Sequence, residues 1–99
     1  MALTEDVIKK IADDTDISID ELTASGILAF LREKRRKIML DKLEVLSRHN
    51  VTSSGELEKK IKSGEVAEHM TWEDLILLEN LETAITLIDE DIKLIQQAA

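Results

Sequence analysis

The sequence predicts an all-α protein: a short N-terminal helix, a long central helix, a short elbow helix, and a C-terminal helix returning as an antiparallel hairpin or coiled coil. Three observations predict it. The 99 residues contain no proline, so no helix is broken from within. The apolar content of 43% is almost wholly aliphatic, with 30 Leu, Ile and Val residues against one Trp and one Phe. In the last third, Leu78, Leu81, Ile85, Ile88, Ile92 and Ile95 recur at steps of 3, 4, 3, 4 and 3, which is a coiled-coil seam. The length suits one domain, residues 1–99, with 1–31 read as a helical pair and 32–99 as a hairpin with its elbow.

The first helix is capped by Thr4, has Glu5 and Asp6 in its first turn, and is expected to run to about Asp13. Its apolar face, Leu3, Val7, Ile8 and Ile11, must dock on something, because a helix this short is marginal alone. After the break at Asp14-Thr15-Asp16, Ser18 and Glu21 have capping-box spacing, and Ile17 and Leu22 have staple spacing. The long helix then has no stop signal before His49-Asn50, and only Gly26 weakens it.

Leu22, Ile27, Leu28, Phe30 and Leu31 are apolar nearly all round, so residues 22–31 are expected to be buried between the first helix and a further surface. Ile38, Met39, Leu43 and Leu46 form a one-sided stripe. Between the two lies Arg32-Glu33-Lys34-Arg35-Arg36-Lys37, charged on every face and read as a solvated turn where packing partners change. Asn50 can take the left-handed conformation that ends a helix, and Ser53 with Glu56 opens the elbow helix carrying Leu57 and Ile61, which Gly64 closes. Glu65 to Met70 is the linker. Thr71 with Asp74 approximates a cap, Met70 and Leu75 have staple spacing, and the last helix runs to about Gln97. Leu75, Leu77, Leu87 and Leu94 broaden its stripe, as for a helix with more than one neighbour.

Charge is segregated along the chain. The net charge is −8, distributed as −5 over residues 1–31, +4 over 32–50, −1 over 51–70 and −6 over 71–99. This balance argues against wrapping duplex nucleic acid. The absence of cysteine removes disulfides, thiolate nucleophiles and cysteine-ligated zinc. No run approaches the ~18 apolar residues of a membrane span and no leader-like start precedes Thr4, so a cytoplasmic protein is expected. Gly26, Gly55 and Gly64 stand alone and make no phosphate loop. The tightest potential ligand group is Glu65, Glu68 and His69, but no Glu-x-x-His pair exists, and His49 and His69 read as exposed residues at helix or loop ends. No catalytic residue, cofactor or metal is therefore expected, and the protein is not expected to be an enzyme.

What remains is recognition of polypeptide. Trp72, Leu78, Leu81, Ile85, Ile88, Ile92 and Ile95 are the candidate partner-binding residues, with the seam equally suited to an internal core or an oligomer, and Trp72 read as core filling ahead of a partner anchor. Arg32, Arg35 and Arg36 are candidate phosphate contacts, for which a solvated turn is the favoured reading.

Residues 4–37, TEDVIKKIADDTDISIDELTASGILAFLREKRRK, resemble the two helices of ribbon-helix-helix repressors. Residues 48–85, RHNVTSSGELEKKIKSGEVAEHMTWEDLILLENLETAI, are similar to a polar elbow, Trp-Glu-Asp and leucine-helix pattern of antitoxin-like proteins. The chain thus resembles antitoxins of prokaryotic type II toxin-antitoxin pairs, without the N-terminal strand, since only Met1-Ala2-Leu3 precede Thr4. The resemblance implies a homo-oligomer paired through residues 4–31 and a C-terminal part that binds and neutralises a ribonuclease-type toxin, its acidic helix matching a basic cleft. Alternatives are a structural coiled-coil homodimer or scaffold and, less favoured at net −8, a DNA-binding transcriptional regulator.

Overall fold

A computed structural model describes residues 3–66 and 68–98, with the backbone alone at 68–70. The described residues form four helices: α1 (Glu5–Thr15), α2 (Ile19–His49), α3 (Ser54–Lys62) and α4 (Glu68–Ala98). Side-chain oxygens begin three of them. Thr4 Oγ1 accepts from Val7 N at 3.3 Å, Ser18 Oγ from Glu21 N at 3.0 Å, and Ser53 Oγ from Glu56 N at 3.1 Å. Glu56 does not close the expected box on Ser53; its Oε2 accepts one residue earlier, from Thr52 N at 2.9 Å and Thr52 Oγ1 at 2.7 Å.

The three helix ends also share one device. Asp16, Asn50 and Gly64 all have positive φ, at 58°, 53° and 76°. At each, the following N–H reaches back five residues: Ile17 to Ala12, Val51 to Leu46, and Glu65 to Lys60, at 3.0 to 3.1 Å. This is the Schellman ending, and at the first two ends the apolar pair it brings together is sealed. Ala12, Leu46 and Val51 are buried and Ile17 is half-buried.

α4 turns back along α2 to make the antiparallel hairpin, and α3 lies across the closed end. The core is there: Val45, Leu46, Val51, Leu57, Ile61, Leu75 and Leu78, with Val66 and Leu81 packed against it. Lys60 Nζ donates to the carbonyls of His49 and Asn50 at 3.3 Å, placing a cation on the last turn of α2. The molecule is a rod of 61 × 29 × 17 Å with a radius of gyration of 19.7 Å, where a globule of this length would have about 13 Å. Among the described residues no helix is long and apolar enough to cross a membrane.

Several expectations are corrected. α1 runs to Thr15, and it presents Ala12 and half-buried Ile8 inward while Leu3, Val7 and Ile11 stay exposed. Residues 22–31 are not enclosed: Phe30 is 65% exposed and Ile27 is also exposed, with Leu22, Leu28 and Leu31 half-buried. α4 begins at Glu68, so Thr71 is no cap; it is a buried residue within the helix, and the linker ends sooner than expected. The expected staple at Met70 and the grouping of Glu68 with His69 lie outside the described side chains.

Candidate functional site

The hairpin seam accounts for much of the candidate set. Leu78 is fully buried, Ile85 is buried, and Leu81, Ile88, Ile92 and Ile95 are half-buried. They face α2, so in the single chain the seam closes on itself. On α2 the inward positions are Leu28, Leu31, Arg35, Ile38, Lys42, Val45 and His49, half-buried or buried at steps of 3 and 4. This second heptad is hidden in the sequence because from Arg35 on every second member is basic.

Those basic positions meet acids on α4. Arg35 Nε donates to Asp89 Oδ1 at 2.6 Å and its Nη2 to Oδ2 at 3.3 Å, a two-pronged pair whose hydrogen bond with Asp89 raises the guanidinium pKa above its ordinary value. Two heptads further, His49 Nε2 donates to Asp74 Oδ2 at 2.6 Å, and Arg48 Nη1 reaches the same oxygen at 3.2 Å. Lys42 lies seven residues after Arg35 and Glu82 seven before Asp89, so the register sets them level. That rung is open: Glu82 Oε1 is buried without a hydrogen-bond partner among the described residues.

The basic turn is therefore not uniformly solvated. Of the candidate phosphate contacts, Arg35 is bound to Asp89, and Arg36 holds Glu33 at 2.8 and 3.0 Å, lowering the Glu33 pKa. Arg32 makes no ion pair among the described residues. A phosphate would have to displace two carboxylates to gather all three guanidinium groups. Among the described residues there is also no cluster of three His, Asp or Glu suited to a metal.

Beyond Leu3, Val7 and Ile11 at the N-terminus and Leu40 and Leu43 of α2, two further apolar surfaces remain uncovered. On the outside of α4, Ile76, Leu87 and Leu94 are exposed, with Glu73, Glu79, Glu90 and Asp91 also exposed on that helix. Trp72 stays exposed beside them, so it does not fill the core. On the outside of α2, Ile19, Ile27 and Phe30 are exposed. Between the open ends of α2 and α4 lies a cleft lined by Ala24, Ser25, Leu28 and Ile95, with Ser18 and Glu21 at its rim. The sequence points to Ile27 and Phe30 for dimerisation and to Leu87 and Leu94 as broadening the α4 stripe toward a second neighbour, but not to Ile76, whose 11-residue spacing from Leu87 is the signal that joins it to them.

The architecture defines a helical-hairpin protein with a core at one end and uncovered apolar helix faces along its length. The chain belongs to the Uncharacterized protein MJ0235 family, which it matches over residues 1–98. No curated protein and no solved structure matches it.

Proposed function

We propose that this chain is a non-catalytic interaction protein whose acidic C-terminal helix docks on a basic partner polypeptide, as an antitoxin docks on a ribonuclease-type toxin. The observation that carries this reading is the outer face of α4. Ile76, Leu87 and Leu94 are exposed there with Leu94 at 63%, on a helix whose exposed acids Glu73, Glu79, Glu90 and Asp91 make no ion pair among the described residues. Apolar anchors supply affinity and the surrounding acids speed encounter and reject acidic competitors.

Asp74 and Asp89 are engaged with α2, so the acids offered to a partner are those outer four. The test is co-expression with the gene beside it, followed by growth and co-purification at low and high salt. The reading expects growth rescue and a complex weakened by salt, and expects Ile76→Glu with Leu87→Glu to abolish both while helix content is retained. Rescue that survives the double substitution, or a neighbouring product that never co-purifies, overturns it.

A further inference from the structure

We propose that a second copy of this chain lies along one side of the hairpin, α4 antiparallel to α4 and α2 antiparallel to α2, closing a two-fold four-helix bundle. The side in question is turned away from α3. Residues one place before the inward positions share it on both arms, because the arms run in opposite directions and one residue turns a helix by ~100°. α3 packs on the other side, where Leu46 and Leu75 stand one place after Val45 and Asp74 and are buried.

On α4 the free side carries a second heptad: Leu77, Asn80, Ala84, Leu87, Asp91 and Leu94, at steps of 3, 4, 3, 4 and 3. Leu77, Leu87 and Leu94 are 43%, 55% and 63% exposed, so the single chain leaves it in water. The order of its residues selects the occupant. Reversed on a second copy, Leu77 meets the partner's Leu94, Ala84 meets the partner's Leu87, and the Asn80 amide donates to the partner's Asp91. No acid then faces an acid. A slip of one heptad either way sets Asp91 against Glu73 or against Leu87, and a parallel copy sets Asp91 and Glu73 each against itself.

α2 favours the same arrangement independently. On its matching side Lys34 and Lys37 come before Asp41 and Glu44, all four exposed. Among the described residues only Glu44 of these has an ion-pair partner, Arg48 at 3.9 Å. The α4 register puts the two-fold axis midway between Ala84 and Leu87, and the Arg35–Asp89 and His49–Asp74 pairs bring that point level with Ile38. The lysines lie on one side of the axis and the acids on the other, so each lysine pair falls against the partner's acidic pair. Such self-complementarity is what a symmetric interface requires, and a partner of uniform charge would meet like charge on half of this surface.

The inference goes beyond the reading of α4 as a docking helix and does not rest on it. Leu87 and Leu94 belong to both surfaces, so the pair must separate before a different polypeptide docks there.

The experiment is sedimentation equilibrium of the full chain, purified alone, across a concentration series. A dimer weakened by salt is expected. Leu77→Glu should lower its affinity roughly a hundredfold with helix content unchanged. The deciding measurement is a mixture of two variants, one carrying Lys34→Glu and Lys37→Glu, the other Asp41→Lys and Glu44→Lys. Each alone should associate at least roughly tenfold more weakly than the parent chain. Mixed in equal amounts they should form a heterodimer at least as tight as the parent dimer, since every facing pair is then of opposite sign. A chain monomeric up to ~1 mM, a dimer indifferent to Leu77→Glu, or a mixture as dissociated as its components overturns the proposal. The mixed variants leave α4 unaltered and no readout involves the neighbouring gene's product, so this inference and the proposed function fail separately.

Discussion

At the scale of single residues, helix ends carry more of the specificity than the core does, because the core is built from interchangeable aliphatics. Glu56 shows how a charge can hold an end. Its carboxylate accepts from both the backbone and hydroxyl of Thr52, and these hydrogen bonds, the hydroxyl's first, hold its pKa below the ordinary carboxylate value, with Lys60 and Lys59 adding to the effect. A group whose pKa is depressed by folding stabilises the fold above its unfolded pKa and ceases to do so as pH falls through its folded one. The contribution of Glu56 is therefore present at neutral pH and lost in acid. Carbon-detected titration of the side-chain carboxyl should give a midpoint below that of an exposed glutamate, and Glu56→Gln should remove part of the acid sensitivity of unfolding. A midpoint at or above the ordinary value would show that the Thr52 contacts do not form. The same scale explains what the residues alone disclosed. Thr4, Ser18, Ser53 and Asn50 act locally, through bonds within three to five residues, so their roles follow from spacing. Thr71 has the residue type of a cap but lies inside a helix, because burial at the closed end, a tertiary fact, overrode the local preference.

Elements raise a different question, since both long helices carry heptads and only one is visible in the sequence. α4 repeats aliphatics without a miss, whereas α2 places Arg35, Lys42 and His49 seven residues apart, at every second inward position from Arg35 on. Apolar periodicity fails there as a signal because an arginine can lay its methylenes along a seam and keep its charged end at the rim. The reading of a solvated turn followed from that gap. A polar residue in a seam fixes register at some cost in stability, and here the Arg35–Asp89 and His49–Asp74 rungs set the register while the middle rung stays open. Solvent screens pairs such as Arg35–Asp89, so packing dominates and the rungs choose among packings. A buried carboxylate oxygen without a partner costs about 1–3 kcal/mol. Glu82→Met should therefore stabilise the chain by about 1 kcal/mol in urea unfolding, with helix content unchanged. Destabilisation of that size would instead mean that Lys42 closes on Glu82 in solution, making the middle rung a working ion pair.

The whole molecule has most of its buried side chains at one end and uncovered apolar faces along its length, so its stability should fall along the rod. Apart from Ala12, the buried aliphatics lie between Val45 and Val51 on one arm, at Leu57 and Ile61 in the elbow, and between Leu75 and Ile85 on the other. Leu28 and Ile95, at the far end of the hairpin, are half-buried and border an open cleft. Truncating a side chain enclosed on all sides loses its transfer free energy and leaves a cavity, whereas truncating one at a cleft loses part of the first and little of the second. For chain dilute enough to be monomeric, Leu57→Ala should cost about 2–5 kcal/mol and Leu28→Ala about 1 kcal/mol in urea denaturation. Equal losses would mean the open end is as well packed as the elbow. Hydrogen exchange should follow the same gradient: amides near Val45 and Leu78 should exchange only by global unfolding, while those of α1 and residues 19–31 exchange through local opening. Uniform protection along the rod would mean that the hairpin opens as one unit.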